Sequence, residues 1–166
     1  MYWMVLMGVV TGMRSMTALA VLCWFAWLGL LPETGWARWS ATLVAAIVFG
    51  LCALGEYAGD LSPKAPSRTT MFPLTVRLVF GAVAGALCAR ALTQPVAGGV
   101  VFGVIGVLIG AYGGVWLRVW VAKKVGRDWP VGVAESALAL GLAVLAATML
   151  HQDVASEALA KARMFL

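Results

Sequence analysis

Gly55-Glu56-Tyr57-Ala58-Gly59-Asp60-Leu61-Ser62-Pro63-Lys64 closes an apolar run that opens near Ala41 and is long enough to cross a bilayer. Ionisable groups at membrane depth are costly and persist where they pair, bind something or line a wet cavity. Glu56 and Asp60 are four residues apart, so on a helix they share one face. The stretch therefore reads as the end of a membrane helix that carries an acid pair. Pro63, Pro66 and Pro73 stop it, and Lys64 and Arg68 put positive charge in the loop that follows.

Composition extends that reading to the whole chain. Of 166 residues, 63% are hydrophobic and only 11% charged, and the mean hydropathy is +0.95. A soluble domain is nearer roughly half apolar, so an integral membrane protein is expected. The first ten residues carry no Lys or Arg, and the apolar run continues to Leu31 without a small-residue cleavage site; the first segment is expected to remain as a membrane helix. The net charge of +5 comes from basic residues in short loops, which membrane orientation explains without nucleic acid. Cys23, Cys52 and Cys88 lie singly inside apolar runs with no metal-ligand spacing, and read as small hydrophobes.

Working outward, five spans are expected, at about 5–31, 41–60, 74–92, 97–121 and 130–150, forming one all-α bundle over residues 1–150. The first run is too long for one untilted crossing and too short for two, so it is expected to tilt, to break near Gly8 and Gly12, or to lay Tyr2 and Trp3 in the interface. Arg14 follows Gly8-x-x-x-Gly12 among Thr11, Ser15 and Thr17. These polar neighbours point to a buried, paired arginine near mid-membrane. Gly81-x-x-x-Gly85 in span three and a glycine stripe in span four, from Gly98 to Gly114, are read as faces for close helix packing, with a backbone-lined pathway as the functional alternative. Arg77 and Arg90 read as snorkelling residues near the ends of span three. Pro130 opens span five, with Glu135 about a turn and a half in. Residues 151–166 read as an amphipathic tail helix on the membrane surface or the bundle, with His151 as an interfacial polar residue.

Loop charge sets the expected orientation. Lys64, Arg68, Lys123, Lys124 and Arg127 place loops 61–72 and 122–130 in the cytoplasm, and with them the N-terminus. At a shift of 59 positions Gly55, Lys64 and Arg68 fall on Gly114, Lys123 and Arg127, a faint internal repeat.

Gly12-Met13-Arg14-Ser15, Glu56-x-x-x-Asp60-x-x-Pro63, Leu117-Arg118 at the end of a glycine-rich span, and Pro130 followed by Glu135 together resemble a family of small bacterial inner-membrane proteins grouped only as a domain of unknown function. The resemblance covers most of the chain apart from the tail. Members often carry an acidic pair where this chain has Glu135-Ser136. The resemblance implies an inner-membrane protein and no particular activity.

Three functions compete on these residues. A transporter or channel-like protein would use Arg14, Ser15, Glu56, Asp60 and Glu135, with Lys64 and Arg68 nearby, to bind an ion, a proton or an anionic substrate between helices. A packing or assembly subunit would use the same charges as an ion pair that fixes helix register, and the glycine faces for oligomerisation. A lipid-phosphate enzyme would hold Mg²⁺ on Glu56 and Asp60, but the sequence has no catalytic constellation and no phosphate-binding loop. No other cofactor is expected. The lipid bilayer is the expected surrounding, and a homo-oligomer is expected because five short spans leave little room for a central pathway.

Overall fold

The computed structural model describes residues 1–59, 71–125 and 129–164. Six α-helices run in order: α1 (Tyr2–Met13), α2 (Thr17–Trp27), α3 (Leu43–Gly59), α4 (Met71–Ala91), α5 (Val96–Val125) and α6 (Trp129–Met164), with a short 3-10 helix at Gly35–Ala41 before α3. No strand occurs among the described residues. Among the described residues three helices are long and apolar enough to cross a membrane: Met71–Ala91, Val96–Val121 and Pro130–Met164. The 3-10 helix and α3, bent by 62° at their junction, make a fourth if counted as one span.

Glycine builds the tightest part of the bundle. A β-carbon on Gly8 would overlap the Gly103 carbonyl, and one on Gly12 the Val107 carbonyl. A β-carbon on Gly85 would likewise meet the Gly99 carbonyl, and one on Gly81 would meet the Val107 side chain and then the Gly103 carbonyl. So α5 presents Gly99 and Gly103 to α4, and Gly106 and Gly110 to α1, at backbone-to-backbone distance. The two Gly-x-x-x-Gly motifs are consumed by one partner helix. The α5 stripe is packed closed there, which supports the packing reading over a pathway along it.

The same contacts give direction. Going from Gly8 to Gly12 moves forward along α5, so α1 is parallel to it, whereas Gly81 to Gly85 moves backward and α4 is antiparallel. Arg14 reaches Gly132 near the start of α6, while Trp3 donates to Asp153 near its far end. His151, also at that far end, donates from Nδ1 to the carbonyl of Leu30, beyond α2. Hence α1 descends to Arg14 and α2 climbs back. The two form a V-shaped hairpin whose open ends lie at the His151 level and whose vertex is Arg14-Ser15-Met16.

This corrects three expectations. Residues 5–31 do not form one span: α1 is 12 residues long and α2 is 11, about 18 and 16 Å at 1.5 Å per residue, each short of the roughly 30 Å of hydrocarbon. Among the described residues the helices long and apolar enough to cross a membrane therefore number three or four, where five spans are expected. The start of α1 lies at the end of the bundle opposite Gly59 and Met71, and not at the end from which α3 and α5 lead toward loops 61–72 and 122–130, as the expected orientation has it.

A fourth correction concerns the tail. Residues 151–164 are not a separate surface helix; they continue α6 without a break. No Gly or Pro follows Leu150, so the helix goes on after its sequence turns polar. Against the hairpin α6 lays a stripe of small residues, Ala139, Ala143, Ala146 and Ala147, ending in Leu150, all fully buried. It touches α5 only weakly, which leaves a groove between them.

Candidate functional site

The vertex of the hairpin organises the charged residues. Arg14 ends α1 in an extended conformation, its N–H still donating to the Val10 carbonyl at 2.7 Å. A helix beginning three residues later has orphan N–H groups, and Met16 at its N-cap offers no capping oxygen. Glu56 supplies it from α3. Its Oε1 accepts from the Ser15 N–H at 2.9 Å and from Ser15 Oγ at 3.1 Å, and its Oε2 accepts from the Met16 N–H at 3.1 Å. A carboxylate at a helix N-terminus also meets the positive end of the helix dipole. Arg77, on α4, adds a guanidinium 3.5 Å from Oε1. The break in the first apolar run is thus held by an acid 41 residues away in sequence.

Arg14 itself turns the other way. Its side chain is 1% exposed, among the largest fully buried groups of the molecule. Nη2 donates to the Gly132 carbonyl at 3.1 Å and lies 4.0 Å from Glu135 Oε2. The same carbonyl accepts from Ser136 Oγ at 2.9 Å, so Ser136 shares an acceptor with Arg14. The guanidinium also lies 5.7 Å from the centre of the Tyr57 ring, within cation–π range, and Tyr57 is fixed by a 2.7 Å hydrogen bond between its hydroxyl and Thr17 Oγ1. Arg118, from α5, approaches Glu135 Oε2 at 3.9 Å. Two guanidiniums therefore converge on one carboxylate oxygen.

Glu135 and Arg118 line the groove between α5 and α6. Its volume is about 250 Å³, and its walls are otherwise apolar, with Met13 and Val131 buried and Leu117 and Leu138 exposed at the rim. A second apolar cleft, about 350 Å³, lies between α2 and α3 with Leu140 of α6 beside it. Tyr57 and Thr17 line that cleft, so the vertex is flanked by two openings.

The residues expected at the site divide accordingly. Arg14, Ser15, Glu56 and Glu135 come together, although Arg14 meets Glu135 while Glu56 binds the backbone beside it. Asp60, Lys64 and Arg68 lie outside the described residues. The sequence reading missed Arg77 and Arg118 as members; the first is buried and the second half-buried. Their signal was position: Arg77 stands four residues past Pro73, inside the span, and Arg118 lies within the run that continues to Val121. Among the described residues no group of three or more His, Cys, Asp or Glu side chains is placed to hold a metal ion.

Compared with protein-family models, curated proteins and solved structures, the chain has no match.

Proposed function

We propose that this chain is a small multi-pass membrane protein of transporter or channel-like type, in which Glu135, flanked by Arg14 and Arg118, binds a small ion, a proton or an anionic substrate. The observation that carries this reading is the position of Glu135. It joins a fully buried arginine at the vertex of a broken helix to a groove that opens between two long apolar helices. Broken helices that end among charged groups at membrane depth are a recurrent way to build such sites.

In this arrangement α3, α4, α5 and α6 cross the membrane and the hairpin enters it without crossing. Exposed Val44, Ile47, Leu51 and Leu54 on α3 face lipid, and Trp116, Trp120 and Lys124 on α5 mark one interface, where Lys124 Nζ lies 3.7 Å from the Trp120 ring centre. The positive-inside rule places the Lys124 end in the cytoplasm of a bacterial inner membrane, and both chain termini on the other side. A homo-oligomer fits a bundle whose central helices are packed closed by glycine. The packing reading is the alternative, and the closed glycine contacts between α1, α4 and α5 favour it.

Liposomes containing the purified protein, assayed with dyes for H⁺, K⁺ and Cl⁻ flux, separate the two. Transport requires a permeability above that of protein-free liposomes for at least one of these ions, lost in Glu135→Gln while the helical circular-dichroism signal is kept. Wild-type liposomes no leakier than empty ones to all three ions contradict a pathway for these ions and favour the packing role.

A further inference from the structure

The end of the bundle away from the vertex holds another acid, Glu33, partly buried. The segment Leu30–Thr34, which joins α2 to the 3-10 helix, is bounded by Gly29 at φ +73° and Gly35 at φ +63°, two positions with the left-handed backbone that glycine accepts at little cost. It is strapped down at both ends. His151 Nδ1 lies 2.6 Å from the Leu30 carbonyl, and Arg90 donates from Nε and Nη2 to the Thr34 carbonyl and hydroxyl at 3.3 and 2.7 Å. Leu31 is buried beneath it. Between the straps Glu33 tucks inward, with Oε2 shut off from solvent and without a hydrogen-bond partner among the described residues.

We propose that Glu33 is a proton-operated latch on the Leu30–Thr34 strap: protonated, it stays folded under the strap; ionised, it leaves for water and frees the strap to move. The step is the loss of one proton from the carboxyl to bulk water. A neutral carboxyl tolerates a sealed, unbonded position far better than a carboxylate does. Burial lifts the Glu33 carboxyl to about 7, opposed in part by the Arg90 guanidinium. The titratable and charged groups facing it are Cys23 from α2, and Cys88 and Arg90 from α4, with His151 of α6 one strap position away. The inference stands apart from the transport reading, since it concerns the other end of the molecule.

The sign follows from linkage. An acid whose folded value lies above its unfolded one holds its proton longer when folded, so the strapped form is favoured at low pH and is progressively disfavoured as pH rises from about 4.5 to about 7. If the freed strap gives Glu33 an ordinary carboxyl value, the opening constant rises about tenfold between about pH 6 and about pH 8.

Hydrogen–deuterium exchange of the 29–36 amides in the full-length protein, corrected for intrinsic exchange at each pH, reads that constant. Wild type is expected to show the rise and Glu33→Gln, which mimics the protonated acid, to stay protected at both pH values. His151→Gln is expected to keep the rise. A flat wild-type profile, a rise that survives in Glu33→Gln or vanishes in His151→Gln, or a Glu33→Gln strap open at both pH values overturns the latch.

Discussion

Glu56 and Glu135 meet the same three-residue vertex from opposite sides, and they meet it differently. Glu56 accepts three hydrogen bonds at 2.9–3.1 Å, two of them from backbone N–H groups, and has Arg77 beside it at 3.5 Å. Glu135 stands between two guanidiniums, 3.9 Å from that of Arg118 and 4.0 Å from that of Arg14, and faces a groove. Each acid belongs to one helix pair, Glu56–Arg77 to α3 and α4, Arg118–Glu135 to α5 and α6, with the charges exchanged between descending and ascending helices. The vertex links them, giving its backbone to the first and its guanidinium to the second. A carboxylate that completes a helix end is part of the fold; one that lines a groove beside two guanidiniums is where the proposed binding is placed.

Substitutions that remove one side at a time break or sharpen this division. The largest loss is expected for Glu56→Ala, which leaves the Ser15 and Met16 N–H groups without their acceptor and takes the carboxylate from beside the buried Arg77; about 3–5 kcal/mol, read by thermal unfolding in detergent, is the scale for breaking a buried pair. A Glu56→Ala protein no less stable than Glu135→Gln would contradict the comparison. Arg77→Gln keeps the helix cap and removes the charge partner, and about 2 kcal/mol is expected in the same assay. Glu135→Gln keeps side-chain shape and leaves Arg14 its Gly132 carbonyl, so about 1 kcal/mol is expected, alongside the loss of flux. Ser15→Ala removes only the hydroxyl donor to Glu56, the backbone donors staying in place, and about 0.5–1 kcal/mol is the expected effect in chemical denaturation.

Local features of the sequence were readable and long-range ones were not. The all-helical class followed from apolar runs, and the glycine faces from their spacing, because close packing needs only the absence of a side chain. Arg14 was placed as a buried, paired residue by its polar neighbours, which is what the structure holds. The reversal of the chain after it was not legible: Ser15-Met16 contains neither Gly nor Pro, and the acceptor that permits the break stands on α3. Arg77 looked like a residue that reaches the interface, and Arg118 stood only as part of a motif, because nothing local shows which acid a neighbouring helix will bring. The α6 extension was misread for the opposite reason, since a change in polarity at His151 was taken for an end of helix where no breaker exists.

Sidedness of the N-terminus tests the hairpin most directly. In a background with Cys23, Cys52 and Cys88 replaced by alanine, Tyr2→Cys, Trp36→Cys and Lys124→Cys are labelled one at a time with a membrane-impermeant maleimide on vesicles of known orientation. The account expects positions 2 and 36 to react from one side and position 124 from the other. Labelling of position 2 from the same side as 124 would mean that the first apolar run crosses the membrane, and the hairpin with its shared vertex would be wrong.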